Sequence, residues 1–200
     1  LATTSRTGYT FTGWFTAASG GTEVTAATIV ATASDHTLYA QWTANPYTVT
    51  FDANGGIAAV PASKEVTFDA LYGELATTSR TGYTFDGWFT AASGGTEVTA
   101  ATVVATASDH TLYAQWTANP YTVTFDANGG TTPDPETKEV VFDAVYGELA
   151  TTSRTGYTFN GWFTAASGGT EVTAATVVAT ASDHTLYAQW TANPYTVTFD

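Results

Sequence analysis

The stretch PYTVTFDANGG (Pro46–Gly56) decides the fold, and it recurs unchanged at Pro120–Gly130 and, as far as it extends, at Pro194–Asp200. Its aromatic residues and valine alternate with polar residues, and this period of two is typical of a strand with one buried face. The Asn-Gly pair that follows is the strongest short signal for a turn between strands. The stretch therefore predicts the first strand and first turn of a β-sheet.

The whole chain repeats with a period of 74 residues. Nine positions differ between 47–120 and 121–194, and six of the nine lie in Ile57–Ser63, which aligns with Thr131–Thr137. This clustering of differences predicts an exposed loop there. A unit of this length can close its own small core, so we expect tandem small domains. The polar, Pro-terminated linker 117–120 sets the boundaries. Residues 1–46 are the C-terminal part of a repeat, 47–120 and 121–194 are complete repeats, and 195–200 are the first strand of a further repeat.

Composition excludes several functions. The chain has 5 Lys+Arg against 18 Asp+Glu, a net charge of −13, which argues against binding to nucleic acid or anionic lipid. Cysteine is absent, so disulfides, thiol catalysis and Cys-ligated zinc are excluded. No apolar run approaches the roughly 20 residues that span a membrane, so we expect no membrane insertion in this segment.

The second complete unit shows the predicted elements most clearly. Alternation predicts strands at 121–126, 138–142, 157–164 and 184–191, and residues 144–149 make at best a short helical turn. Residues 173–182 are rich in Ala, Val and Thr, which fits a loop with a short helical or extended piece. The predicted class is β-rich α+β, with about four strands and little helix per unit.

Four landmarks of this unit resemble one known family. YTVTFDANGG (Tyr121–Gly130), GYTFNGWF (Gly156–Phe163), Gly168-Gly169 and HTLYAQW (His184–Trp190) follow the order and spacing of the Listeria–Bacteroides repeat, related to the B-repeats of internalin surface proteins. The resemblance implies small β-grasp-like modules in tandem, on bacterial cell-surface or secreted proteins. The stretch 151–155 lacks the prolines often seen in that family.

No metal, cofactor or catalytic site is predicted. A calcium loop starting at Asp52 would need an oxygen ligand at position 5 and a bidentate acid at position 12, where Gly56 and Ser63 stand, so the stretch fits a turn better. His36, His110 and His184 each follow Asp, but no nucleophile motif accompanies them, and exposed turns explain them better. We therefore expect a protein that is not an enzyme.

Lysine and tryptophan leave alternatives open. Lys64 could cross-link to Asn54, although a solvated lysine is the simpler interpretation. Trp14, Trp88 and Trp162 are the candidate ligand-binding residues, because indole rings stack on sugars and peptides, yet a core without Met or Cys also needs such rings. Strict alternation puts Trp88 on the face opposite Phe85, either capped by a loop or exposed.

The tandem modules predict a structural repeat segment, a stalk or spacer, and the resemblance implies that it belongs to an extracellular bacterial protein at the cell surface, attached to the cell wall or secreted. Its immediate partners are the neighbouring repeats, and its short linkers permit limited swing. The first complete unit has 7 acidic and 2 basic residues, a net charge of −5, and the second has 8 acidic and 2 basic residues, a net charge of −6. These charges keep the units soluble. The alternative is an adhesin-type module that binds a host or cell-envelope protein or glycan through exposed Trp or Tyr faces or strand edges.

Overall fold

The computed structural model describes all 200 residues, and the chain forms thirteen strands and no helix. It divides into two compact units, Leu1–Ser79 with Phe85–Gln115 and Arg80–Thr84 with Trp116–Asp200, and each is described by itself. A three-stranded sheet comes first along the chain. Its strands are β1 (Tyr9–Phe15), β2 (Glu23–Val24) and β3 (Tyr39–Ala44).

Two five-stranded sheets follow, and they have the same strand order. The first contains β4 (Pro46–Asp52), β5 (Ser63–Thr67), β6 (Tyr83–Phe89), β7 (Glu97–Val98) and β8 (His110–Ala118). The second contains β9 (Pro120–Asp126), β10 (Thr137–Val141), β11 (Tyr157–Phe163), β12 (Glu171–Val172) and β13 (His184–Ala192). The four strands predicted from the sequence are therefore confirmed, and a two-residue fifth strand joins them. Residues 195–200 lie outside any strand.

In each five-stranded sheet, the strand that comes first along the chain lies beside the strand that comes last along the chain. The spatial order is β10-β9-β13-β11-β12, with β9 parallel to β13 and antiparallel to β10. The alternating residues of the opening stretch thus form a central strand, and Val123 and Phe125 are buried on one of its faces. This position explains why the pattern decides the fold, since a one-residue slip would turn that apolar face to solvent.

The α+β class was wrong, because the chain is all-β. Residues 144–149, predicted as a helical turn, bond to a distant segment instead: the Tyr146 amide donates to Thr176 and the Gly147 amide to Ala174. Asp143 and Gly147 have φ of 61° and 66°, which a right-handed helix does not allow. The β-grasp-like description is not confirmed either.

One core lies on one side of the last sheet. It combines alternate residues of the strands with residues of the loops that cover them, namely Val123, Phe125, Val140, Tyr146, Ala150, Trp162, Val172, Val178, Leu186 and Ala188. Because extended loop segments close this core, the module needs no helix to bury its sheet face.

Candidate functional site

The Asn-Gly pair of the opening stretch does more than turn the chain. The Gly130 amide donates to the Ala127 carbonyl at 3.0 Å, and both Asn128 and Gly129 have positive φ, which closes a tight turn. The Asn128 side-chain amide then donates to the carbonyls of Ala188, in β13, and Ala166, at 2.9 Å each. Asn128 therefore ties the first turn to the last strand, a role that the turn motif alone did not predict.

Two of the three candidate tryptophans belong to the core. Trp88 and Trp162 are each 2% exposed, and their indole Nε1 atoms donate to the carbonyls of Ala76 and Ala150 at 2.8 Å. Of the two alternatives left open for Trp88, the structure therefore has the capped one. A ring so covered offers no face to a ligand. Trp14 is half-buried, and its Nε1 donates to the Ala2 carbonyl at 2.9 Å.

A β-bulge explains why strict alternation misplaced these rings. Opposite β13, Phe159 faces Trp190 and Gly161 faces Gln189, so Asn160 is an extra residue in β11. The bulge puts residues three apart on one side of the strand. The rings of Phe159 and Trp162 accordingly lie 5.7 Å apart. The rings of Phe85 and Trp88 lie 5.6 Å apart, so the prediction that these two residues occupy opposite faces was wrong.

The histidines of the two complete repeats hold core tyrosines. His184 Nδ1 lies 2.9 Å from the Ser182 carbonyl, which can only accept, so Nδ1 carries a proton, and Nε2 lies within hydrogen-bond distance of the Tyr146 hydroxyl, 2.7 Å away. Burial raises the pKa of Tyr146, because the low-dielectric surroundings disfavour the phenolate. The geometry gives this histidine a structural task.

Lysine likewise fixes a loop. Lys64 Nζ donates to the carbonyls of Tyr72 and Glu74 at 2.7 Å each, and Lys138 makes the same two bonds in the last repeat. The Asn54 amide donates to the carbonyls of Ala92 and Ala114 instead. Lys64 and Asn54, the two residues of the cross-link alternative, are therefore each hydrogen-bonded to other partners.

The most elaborate polar surface is a contact between consecutive repeats within the first unit. One side of the contact, here named the Arg-Gly-Tyr surface, consists of Arg6, Gly8, Tyr9 and Asn45. The other side, here named the Phe-Asp turn, consists of Phe68 and Asp69. The Tyr9 hydroxyl donates to Asp69 at 2.5 Å, and the Arg6 guanidinium lies 3.7 Å above the Tyr9 ring and 3.8 Å from the same carboxylate. These contacts combine a charge-assisted hydrogen bond with a cation–π stack.

Apolar packing and backbone bonds complete this contact. The Phe68 ring meets the Tyr9 ring edge-on, with centroids 5.6 Å apart, and lies against Gly8. The Asn45 amide donates to the Gly8 carbonyl, and the Asn45 carbonyl accepts from the Phe68 amide. Asn45 is the single residue between β3 and β4, so the linker is bonded to the repeat on either side of it.

The second unit contains the same contact with the second copies of these residues. Tyr83 donates to Asp143 at 2.5 Å, Arg80 stacks on Tyr83 at 3.7 Å, and the Tyr83 and Phe142 centroids are 5.6 Å apart. The hydroxyl's bond to the Asp143 carboxylate is the main cause of a raised pKa at Tyr83. The linker predicted as 117–120 is reduced to Asn119, whose carbonyl accepts from the Phe142 amide.

The backbone of the Phe-Asp turn is itself unusual. Asp69 and Asp143 both have φ of 61°, in the left-handed region that residues other than glycine seldom adopt. Such a conformation persists where the surroundings hold it, and aspartate tolerates it better than most residues. Sequence reasoning missed this site, although one signal was available: Arg-Thr-Gly-Tyr and Phe-Asp each recur at the repeat period.

A second surface feature recurs beside the last strand. Asn128, Arg154, Ala166, Ser167, Gln189 and Trp190 line a shallow depression of about 210 Å³ in the second unit. A similar depression of about 320 Å³ in the first unit is lined by Arg6, Ala18, Ser19, Ala40, Gln41 and Trp42. Each combines a guanidinium, a carboxamide and part of an indole at the surface.

The fold and the repeated contact define a class of protein, a tandem array of small β-modules in which each module engages the next. The model of the Listeria–Bacteroides repeat domain matches residues 1–41, 47–115 and 121–189. The chain belongs to the Listeria–Bacteroides repeat family, as its four landmarks indicated.

Two bacterial proteins contain segments that are similar in sequence to this chain. The chain is 41% identical to Internalin H of Listeria monocytogenes serovar 1/2a over 147 residues, which cover 74% of this chain and 25% of that protein. It is 34% identical to the "Putative Gly-rich membrane protein" of Evansella cellulosilytica over 211 residues, which cover 98% of this chain and 24% of that protein. The chain thus spans about a quarter of the length of these relatives. The structure contains no helix long and apolar enough to cross a membrane.

Proposed function

We propose that this chain is a structural repeat segment, a stalk or spacer, of a bacterial cell-surface or secreted protein. The observation that carries the proposal is the contact between the Phe-Asp turn and the Arg-Gly-Tyr surface, which occurs in both units with the same distances. A spacer must limit the motion of each module against the next. A one-residue linker that is hydrogen-bonded on both sides, with an aromatic and an ionic contact beside it, supplies that restraint.

The setting outside the cell rests on the relatives and the composition. One relative carries the name internalin and another is named as a membrane protein, and the match to this chain covers about a quarter of each. A net charge of −13 with no cysteine suits a soluble surface segment that does not depend on disulfides.

Solution scattering on chains with increasing numbers of repeats tests the spacer role. Each module should add a constant increment to the maximum dimension, on the order of 25–30 Å from the size of a compact domain of this length. The matched control carries Phe142→Ala, which removes the docked ring and should broaden the distance distribution. A maximum dimension that grows as the cube root of chain length would contradict a spacer.

A second candidate function is adhesin-type binding to a host protein or glycan. The recurring depression beside Trp42 and Trp190 favours it, because guanidinium, carboxamide and indole groups together suit sugar or peptide ligands. Ser19→Trp and Ser167→Trp together, in one variant, would fill both depressions from exposed positions. If binding to an array of glycans and host proteins is present and is lost in that variant at unchanged melting temperature, the binding role holds. Equal binding by both proteins would exclude this surface.

A further inference from the structure

The Arg-Gly-Tyr surface occurs a third time, in the last repeat, and it is already assembled. The Arg154 guanidinium lies 3.9 Å above the Tyr157 ring. The Asn193 amide donates to the Gly156 carbonyl at 2.9 Å, and the Thr158 hydroxyl donates to the Asn193 side chain at 2.7 Å. Each bond has its counterpart at Asn45 and Asn119. Because these groups hold their positions without a docked ring, the surface is preorganised.

What differs at the third surface is its occupancy. Gly8 and Gly82 are buried, whereas Gly156 is half-buried and Tyr157 is 37% exposed. A Cβ added at Gly82 would lie 2.5 Å from the Phe142 ring, but the nearest atom to one added at Gly156 is the Tyr195 hydroxyl, at 3.8 Å. The space that a phenylalanine ring fills in the other two copies is therefore open here.

We propose that Arg154, Gly156, Tyr157 and Asn193 form a docking site for the Phe-Asp turn of a further copy of this repeat. The occupant follows from the two filled surfaces, whose residues are the same and whose ligand in each is phenylalanine followed by aspartate. The proposal rests on the family membership and the observed contacts, and it stands whether or not the spacer role is correct.

Each group of the site has a defined task toward that ligand. The ring of the incoming phenylalanine packs on Gly156, where the missing Cβ leaves room, and meets the edge of Tyr157. The aspartate accepts a hydrogen bond from the Tyr157 hydroxyl and faces the Arg154 guanidinium. The phenylalanine amide donates to the Asn193 carbonyl, as Phe68 and Phe142 do to their asparagines.

Three requirements together make the site selective. The position next to Tyr157 must be glycine, because a Cβ there would occupy the space that the phenylalanine ring needs. The guanidinium favours an acidic residue next to that phenylalanine. The backbone of this acidic residue must adopt a left-handed conformation, as Asp69 and Asp143 do. A repeat that lacks either the phenylalanine or the aspartate satisfies only part of the surface. The contact is head-to-tail, so each copy that docks presents a fresh Arg-Gly-Tyr surface in turn.

NMR on a lengthened chain tests this proposal directly. Residues 127–194 are appended after Asp200, so that Tyr195–Asp200, which repeats Tyr121–Asp126, continues into a complete copy. Gly8 and Gly82 serve as internal references for a filled surface, because the ring packed on them shifts their proton signals. In the 200-residue chain the Gly156 signals should differ from those of Gly82, and in the lengthened chain they should move to the Gly82 positions.

The matched control carries Phe142→Ala and Asp143→Ala in the appended copy only, with core methyl signals verifying that this copy folds. Gly156 should then keep its signals of the 200-residue chain. Unmoved Gly156 signals in the unsubstituted lengthened chain would overturn the proposal, and so would equal movement in the control. A concentration-dependent Gly156 shift in the 200-residue chain would also overturn it, because both Phe-Asp turns of that chain are already docked.

Discussion

Replacing Gly82 by alanine tests how much the docked phenylalanine ring contributes to stability. Gly82 has φ of 79°, and an added Cβ would lie 2.5 Å from the Phe142 ring, so the ring must leave its position. Gly156 supplies a matched control in the same unit, with φ of 82° and the same neighbouring sequence but no docked ring. The two substitutions share their backbone cost and differ only in the ring.

The expected magnitudes separate these two contributions. A left-handed alanine costs about 1–2 kcal/mol at either position. Displacing a packed ring adds about 1–3 kcal/mol at Gly82 alone, by analogy with overpacked sites. Native-state hydrogen exchange measures the free energy of opening of the sheet next to each glycine, at amides of β4–β8 for Gly82→Ala and of β9–β13 for Gly156→Ala. Equal losses for Gly82→Ala and Gly156→Ala would refute the reasoning, because they would show that the ring contributes nothing.

Three further predictions follow from the last repeat. Asn128→Asp removes two hydrogen-bond donors and should cost about 1–3 kcal/mol in urea unfolding, whereas Asn160→Asp, which copies Asp86 of the preceding repeat, should change stability by less than about 0.5 kcal/mol. Trp162→Ala should lower stability by about 3–5 kcal/mol, because the ring is 2% exposed; a ring used only for binding would leave the melting temperature unchanged. Burial raises the pKa of Tyr146 in the folded chain, so its contribution to stability is complete below about pH 10 and is lost as the pH rises through the folded-state pKa. Tyr146→Phe should flatten that alkaline loss, and an unchanged slope would contradict the assignment.

Much of the sheet could be predicted because its strands carry a period-two pattern that burial enforces. The strand at Tyr157–Phe163 shows where such reasoning ends, since a bulge at Asn160 shifts the alternation and only the pairing with β13 reveals it. The helical turn expected at 144–149 failed for a related reason. Its amides bond to residues 174 and 176, and local sequence does not encode a partner some thirty residues away.

The recurrence of Arg-Thr-Gly-Tyr and Phe-Asp marks the residues of the contact between repeats but does not pair them, because they lie far apart along the chain. Arg6 and Asp69 are exposed charged residues whose types suggest only a solvated surface, and the glycine between Arg6 and Tyr9 suggests only a turn. Their juxtaposition depends on how one repeat enters the next through Asn45. The burial of the candidate residues Trp88 and Trp162 follows from the covering loops, which carry no period of their own.

A double-mutant cycle between Gly82→Ala and Phe142→Ala tests most directly the claim that consecutive repeats hold each other through this contact. The two residues belong to different repeats, so any coupling between them must cross the junction. We predict a coupling free energy of at least about 1 kcal/mol, because either substitution alone already removes the ring from the glycine. Effects that add to within about 0.3–0.5 kcal/mol would contradict the account, since independent sites behave in that way.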